Sequence, residues 1–221
     1  MPRLGLHTVS DRRSAILDAA IKVIARRGVR GLRVEQVAAE AGVAVSLIYY
    51  YFDNRNGLVR ATLEHANERA ATTARAGDGG ATGREKAAAS LLAELDAGDH
   101  VRDTSVVWGE VLASAVFEPD LRDQLREASG TWSELVAGTI AEGVQDGSIP
   151  GDVDPQACAE RLTALVDGLS ARWLAGLIPR EHARELLAAA IARELSAEPA
   201  AGFMPPPGPP AAARARGGGE P

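Results

Sequence analysis

Residues 41–58 constrain the fold of this chain more than any other segment. They are Ala-Gly-Val-Ala-Val-Ser-Leu-Ile-Tyr-Tyr-Tyr-Phe-Asp-Asn-Arg-Asn-Gly-Leu. A short helix is predicted over Val34–Glu40, and it ends at Ala41-Gly42 because glycine readily adopts the positive φ that a sharp turn needs. A second helix is predicted from about Ala44 to Tyr50. This arrangement predicts a helix-turn-helix whose second helix enters the major groove of DNA.

The composition favours a helical protein. The chain has 221 residues, of which 46% are hydrophobic, and alanine dominates that apolar fraction. Alanine has the highest helix propensity, and no segment alternates with a period of two over a useful length. We therefore predict an all-α fold: an N-terminal three-helix head carrying the helix-turn-helix, placed on a C-terminal helical bundle body, with about nine helices in total.

Capping residues, glycines and prolines set the predicted helix boundaries. Three short helices are predicted within 10–52, the first closed by Gly28, and Asn54 is predicted to cap a fourth helix over about 55–74. After a glycine-rich connection at 77–83, helices are predicted over 84–96, 102–117, 120–146, 154–176 and 179–196. The predicted domains are a DNA-binding head (1–54), a sensing and dimerisation domain (55–197) and a disordered tail rich in Pro, Gly and Ala (198–221).

Charge is distributed unevenly along the chain. Residues 1–60 carry ten basic and five acidic side chains, a net charge of +5. Since the whole chain carries −6, the remaining residues must carry −11. A basic head on an acidic body is the pattern expected when only the head meets a polyanion such as DNA.

The sequence contains no recognisable catalytic motif and no set of residues with metal-ligand spacing. Cys158 is the only cysteine, and the four histidines are far apart without metal-ligand spacing. No nucleophile or paired-carboxylate motif appears. We therefore predict no enzyme activity, no metal and no cofactor. Neither a signal-peptide pattern nor an apolar run of 18 residues is present, so a cytoplasmic protein without membrane contact is expected.

The head resembles the TetR family of bacterial transcriptional regulators. The matching residues begin with the basic pair Arg12-Arg13 and an Ile-Leu-x-Ala-Ala helix at 16–20. They continue through Gly28, Val37-Ala38, Ala41-Gly42-Val43, Ile48-Tyr49-x-Tyr51-Phe52 and Leu58. The resemblance covers residues 10–60 strongly, and 84–196 only through helix number and length. It implies a homodimeric regulator, by family default a repressor, that binds a pseudo-palindromic operator and is released by a small molecule.

A weaker resemblance points to the BetI-type repressors of choline and glycine-betaine genes. It is carried by Met-Pro-Arg-Leu-Gly-Leu at 1–6, Asn-Arg-Asn-Gly-Leu at 54–58 and Leu-Val-Asp-Gly-Leu at 165–169. Two positions depart from the family pattern. Arg33 and Ala44 stand where the family usually places a Ser or Thr that caps a helix, and losing such a cap costs about 1 kcal/mol.

The predicted DNA contacts lie on the head. Arg55 is expected to bind phosphate, since the family keeps a basic residue there, and Arg33 is a further candidate. The tyrosine hydroxyls can also donate to phosphate oxygens, and Ser46 can bond to a base edge. No Arg or Asn lies on the second helix, so methyl contacts and DNA shape are expected to carry much of the specificity. The full predicted set is Arg33, Val45, Ser46, Leu47, Tyr49, Tyr50, Tyr51 and Arg55.

Two apolar stripes near the C-terminus predict a dimer. A dimer presents two recognition helices to a two-fold site, and two helices per subunit can form a four-helix interface. The same stripes could instead pack only within their own subunit. The predicted interface residues are Leu162, Leu165, Val166, Leu169, Trp173, Leu187 and Ile191.

The predicted helix 102–117 is apolar nearly all round and therefore expected to be buried, with a thin polar stripe of Asp103, Glu110 and Ser114. The family resemblance implies an effector pocket here. The candidate residues are Trp108, Glu110, Leu112, Phe117 and Trp132. An acid near indole rings suits a cationic effector, and an apolar one is also compatible. The main alternative is a DNA-binding repressor without any ligand; an enzyme and a generic helical interaction module are less well supported.

Overall fold

The computed structural model describes residues 9–75 and 81–196, apart from the side chains of residues 9, 10, 69–75 and 120. Within those two segments every regular element is a helix, which confirms the all-α prediction and the helix number. The predicted tail at 198–221 lies outside the described residues. The helices are α1 (Val9–Gly31), α2 (Val34–Ala41), α3 (Val45–Phe52), α4 (Arg55–Arg75), α5 (Gly83–Ala93), α6 (Asp99–Ala115), α7 (Pro119–Asp146), α8 (Pro155–Leu174) and α9 (Arg180–Glu194).

Three helix ends differ from the predicted ones by three residues, and the remaining boundaries agree within two. At Gly28 the backbone turns to φ 71° and ψ 167°, but α1 resumes for one further turn instead of ending there. α5 ends earlier, at Ala93. α6 begins earlier, directly after Gly98, and an acid in its first turn, Asp99, stabilises that N-terminus through the helix dipole.

The helices of the head and of the body differ in how their N-termini are capped. In the body, Thr82 and Glu85 form a capping box at α5, and the Asp154 carboxylate accepts two backbone N–H groups at the start of α8. In the head, Arg33 and Ala44 occupy the N-cap positions of α2 and α3, and neither makes a side-chain cap bond. The first-turn N–H groups of α3 therefore receive no protein acceptor from the N-cap residue.

Supplying that acceptor is expected to stabilise the protein. Ala44 is exposed and has the extended backbone of an N-cap residue. The Ala44→Ser variant should raise the free energy of unfolding by about 1 kcal/mol, measured by urea denaturation. Ala44→Val is the matched control because valine offers no hydrogen-bond acceptor. Equal stability of the serine and valine variants would contradict the expectation.

The buried side chains form two clusters, and the first of them crosses the predicted domain boundary. This head core joins residues of α1–α4 to Val107, Val111 and Ala115 of α6 and Leu121 of α7. The body core lies between α5, α7, α8 and α9 and includes Leu91, Ile140, Leu162 and Leu187. α6 thus packs directly on the DNA-binding head.

Arginine side chains hold α9 against the rest of the body. Arg84 donates to the Leu195 carbonyl at 2.8 Å, across 111 residues of sequence. Arg161 of α8 forms a forked hydrogen-bonded ion pair with Glu194, at 2.5 to 3.1 Å. Such charge-assisted bonds fix helix ends that would otherwise fray. In the described segments no helix is both long and apolar enough to cross a membrane.

Candidate DNA-binding surface and effector site

The turn between α2 and α3 has the geometry of a helix-turn-helix. Gly42 adopts φ 65° and ψ 35°, the left-handed conformation that glycine reaches without steric cost. The next N–H, that of Val43, donates back to the Ala38 carbonyl at 3.0 Å. Ile48 and Phe52, one turn apart on α3, are 1% and 5% exposed and anchor the helix on the head core.

The opposite face of α3 is open to solvent. Tyr50 is 78% exposed and Tyr49 is 46% exposed, and Ser46 is also exposed. These three side chains can reach a groove directly. The other predicted contacts on α3 (Val45, Leu47 and Tyr51) are half-buried against the head core. The Tyr50 and Tyr51 rings pack edge to face with 5.3 Å between their centroids, so the half-buried Tyr51 contacts the exposed Tyr50.

Arg55 has a structural role that sequence reasoning did not predict. Its Nε donates to the Leu32 carbonyl at 3.1 Å, and its second amino group donates to the Val29 carbonyl. Val29 lies in the last turn of α1, and Leu32 lies in the connection between α1 and α2. The side chain predicted to bind phosphate thus points at the protein backbone and ties the start of α4 to the end of α1. Arg33, by contrast, is exposed at the N-terminus of α2.

The start of α4 is closely packed behind α3. Asn54 caps α4, as predicted, by accepting the Gly57 N–H at 2.9 Å. A side chain at Gly57 would place its Cβ 2.2 Å from the Phe52 carbonyl oxygen, so only glycine fits. This contact fixes the angle between α3 and α4. The exposed cations in the described part of the head are Arg12, Arg13, Lys22, Arg26, Arg27, Arg30, Arg33 and Arg60.

The five residues predicted to line an effector pocket are not brought together. Trp108 packs against the head core, whereas Trp132 packs against the body core. Leu112 of α6 and Phe117, which follows α6, are 42% and 72% exposed. The Glu110 carboxylate points at the head and accepts the Val29 N–H at 3.0 Å. The expectation of a helix buried nearly all round therefore does not hold for α6.

Sequence reasoning missed two acids of the body, Glu94 and Asp167, which lie near each other, and Asp167 also lies beside Trp108. Burial, and secondarily the negative charge of Asp167, raises the pKa of Glu94 to about 7. Burial raises the pKa of Asp167 to about 6. The nearby Trp108 indole N–H lowers this pKa, but its effect is smaller than that of burial. Glu94 caps α5, Trp108 lies in α6 and Asp167 in α8, so three helices converge. The sequence feature that could have identified Asp167 is its position as an acid within an apolar segment, Leu-Val-Asp-Gly-Leu at 165–169.

Other buried polar atoms near these helices lack hydrogen-bond partners. Trp108 Nε1 has no partner of normal geometry, and one turn earlier on the same helix the Thr104 hydroxyl is also unpaired. On α7 the same holds for Gln124 Oε1 and for the hydroxyl of Ser133, which is 7% exposed. Buried polar groups are normally satisfied, so each of these unpaired atoms can form a hydrogen bond with a polar ligand or water.

The stripes predicted for dimerisation lie mostly inside the subunit. Leu165 and Trp173 are half-buried against the same body core that covers the others. The periodicity correctly identified buried faces, but the subunit's own α5 and α7 cover them. A partner would therefore have to contact the opposite faces of α8 and α9. The fully buried members of the predicted set are Leu162, Val166, Leu169, Leu187 and Ile191.

Comparison with protein families divides the chain into the same two parts. Residues 16–62 match the model of bacterial regulatory proteins of the tetR family. Residues 83–196 match the model described as the BetI-type transcriptional repressor, C-terminal. The second match alone covers more than half of the chain.

Individual relatives agree with the family models. A curated transcriptional regulator BetI from Brucella anthropi is 33% identical over 109 residues. That match covers 49% of this chain and 55% of the relative, so the chain spans about half the length of the curated relatives it matches.

Solved structures cover more of the molecule. A TetR-family regulator from a Rhodococcus species is 43% identical, covers 85% of this chain and 100% of its own, and superposes with a TM-score of 0.81. A transcriptional regulator from Saccharomonospora viridis, solved in complex with choline, is 30% identical with a TM-score of 0.72, covering 83% and 96% of the two chains. With its helix-turn-helix head and BetI-type body, this chain belongs to the TetR family of transcriptional regulators.

Proposed function

We propose that this protein is a homodimeric repressor that binds a pseudo-palindromic operator through α3 and releases it when a quaternary ammonium compound binds in the body. One observation carries the ligand class: two half-buried carboxylates, those of Glu94 and Asp167, lie near each other, Asp167 lies beside the Trp108 indole, and neither acid has a basic partner among the described ion pairs. The similar regulator solved with choline agrees with that class.

In the proposed DNA complex, the cations of the head bind phosphates, and the exposed side chains of α3 contact the groove. The exposed arginines and Lys22 supply the attraction to phosphate that dominates affinity and makes it salt-dependent. Tyr49, Tyr50 and Ser46 project from α3 and supply hydrogen bonds and stacking surface. Arg33 is an exposed cation at the start of α2, the first helix of the helix-turn-helix. Arg55 supports this surface by orienting α4, while the neighbouring exposed cations contact the phosphates.

The proposed dimer uses the outer faces of α8 and α9. Ala164, Gly168 and Ala171 of α8, and Ala175 directly after it, are exposed and recur at helical spacing. Such small residues let two helices approach closely. On α9, Leu186 is 43% exposed, and it provides apolar area that a partner would cover. Two-fold symmetry then places the same patch of each subunit against its copy.

The proposed effector is a compact cation that cannot donate hydrogen bonds, such as choline through its trimethylammonium group. Carboxylates supply the opposite charge, and the face of an indole attracts a cation by up to about 2 kcal/mol when both are desolvated. The hydroxyl of choline can in addition satisfy one of the unpaired groups, such as that of Thr104 or Ser133. Binding would favour a body shape whose two heads no longer match the operator spacing.

Operator binding tests the first part of the proposal. The purified protein should bind the DNA upstream of its own gene saturably. Tyr50→Ala should weaken that binding about tenfold or more per dimer, because hydrogen bonds to a charged group are worth roughly 1.5 to 3 kcal/mol. Fluorescence anisotropy with a labelled duplex measures both constants.

Two variants make that result specific. Tyr50→Phe keeps the ring and removes only the hydroxyl, so it separates stacking from hydrogen bonding. Arg126→Ala removes a cation on α7 that is 74% exposed, far along the chain from the head, and should leave the affinity unchanged. Binding that is identical for Tyr50→Ala and the wild type would overturn the assigned surface.

A further inference from the structure

We infer that Glu110 is the positioning residue through which the effector site controls the DNA-binding head. Its carboxylate holds the bend of α1 at Gly28 and Val29, and a movement of α6 is transmitted through this contact. The inference rests on the proposed function and adds a specific route by which ligand binding changes operator affinity.

The bend creates a need for an acceptor that α1 cannot supply. Gly28 has φ 71° and ψ 167°, which breaks the helical pattern inside α1. The N–H that follows, that of Val29, is then left without its regular helical acceptor. Glu110 Oε2 accepts it at 3.0 Å, from 81 residues further along the chain. Val29 is 1% exposed, so an unsatisfied N–H would be costly at this position.

The contact is also closely packed. A Cβ at Gly28 would lie 2.5 Å from Glu110 Oε2, well inside van der Waals contact. Glycine at this position therefore meets two requirements at once: it allows the positive φ, and it leaves room for the carboxylate. Because both partners fit so closely, α6 cannot slide past α1 without breaking the hydrogen bond.

The head side of the contact leads directly to the recognition helix. The carbonyl of Val29, the same residue whose N–H binds Glu110, accepts a hydrogen bond from Arg55. Arg55 also donates to the Leu32 carbonyl at 3.1 Å, and it is the first residue of α4. Since α4 follows α3 after only two residues, the position of the bend sets the position of the recognition helix.

The body side of the contact leads to the effector site. Trp108 lies two residues before Glu110 in α6 and is placed beside Asp167 of α8. A cation that enters between the indole and the acids separates or draws together α6 and α8. Because α6 is a rigid element between Asp99 and Ala115, the movement reaches Glu110. Such a packed element with one hydrogen-bonded contact is a physical basis for coupling between two sites.

The experiment compares wild type, Glu110→Ala and Glu110→Gln. Operator affinity is measured by anisotropy with and without choline chloride, and choline affinity is measured by calorimetry without DNA. Glu110→Ala is expected to bind choline within twofold of wild type, while the choline-induced loss of operator affinity shrinks about fivefold or more. Glu110→Gln retains an acceptor oxygen at the same place and should retain most of the response. An equal choline response in wild type and Glu110→Ala would overturn the inference.

A readout that needs no ligand separates this inference from the proposed function. In the free protein, hydrogen exchange at the Val29 amide should be faster in Glu110→Ala than in wild type or in the exposed control Glu127→Ala. Operator affinity of the ligand-free Glu110→Ala should also fall, because the bend is less fixed. If choline neither binds the wild type nor changes its operator affinity, the proposed effector is wrong. If exchange and operator affinity are unchanged in Glu110→Ala, the role of Glu110 is wrong whatever the effector.

Discussion

Replacing Asp167 by asparagine is expected to lower the affinity for choline about a hundredfold. Removing one partner of a buried charge pair costs roughly 2 to 5 kcal/mol, and asparagine keeps the shape while removing the charge. Isothermal titration calorimetry at pH 8 measures the change, since both acids are then ionised on the basis of their pKa values of about 6 and about 7.

Two controls keep that result interpretable. Asp152→Asn removes an exposed carboxylate from the loop before α8 and should leave choline affinity unchanged. The ligand-free Asp167→Asn protein should be at least as stable as wild type at pH 8, because a half-buried charge without a basic partner is removed. Unchanged affinity in a folded Asp167→Asn protein would contradict the assignment. If the wild type itself binds no choline but still binds its operator, a ligand-independent repressor becomes the better description.

The second large effect is a loss of stability with rising pH in the ligand-free protein. The folded state raises the pKa of Glu94 from 4.5 to about 7, so folded molecules hold a proton that unfolded molecules have lost. The stabilisation is complete below pH 4.5 and disappears as the pH rises through 7. For Glu94 it amounts to something on the order of 3 kcal/mol. Urea denaturation between pH 5 and pH 8 should show the free energy of unfolding falling.

Glu94→Gln should flatten that dependence, because glutamine stays neutral at every pH. Glu134→Gln, which removes an exposed carboxyl on α7, should leave the slope as in wild type. Parallel slopes in all three proteins would show that Glu94 does not hold the proton. The same groups must ionise to attract a cation, so choline affinity is expected to rise over the interval in which stability falls.

Local signals in the sequence were sufficient for the helices and for the buried face of α3. The turn at Gly42 and the spacing of Ile48 and Phe52 depend only on neighbours in sequence, and they predicted which face of α3 is covered. The predicted helix boundaries were equally local, since glycines and prolines mark them. The family resemblance, confirmed by both domain models, rests on the same short segments.

Roles that depend on distant partners could not be predicted in this way. Periodicity showed that Leu162 and Leu187 are buried, but not that their own subunit buries them. Position at a helix start suggested a phosphate contact for Arg55, whereas its partners are carbonyls more than 20 residues away. Glu110 and Asp167 are both acids on apolar helices. Only the packing of α6 between α1 and α8 distinguishes the one that faces the head from the one near the indole.

The contribution of α6 to the head core has a practical consequence for the construction of chimeric regulators. The family match to the head ends at residue 62 and the match to the body begins at 83, which suggests a convenient place to join this head to a foreign body. Yet Val107, Val111 and Ala115 belong to the head's own core. A chimera cut between the two matches would lose one wall of that core. A head that is to fold without its own body would need another helix to cover the core surface that α6 covers here.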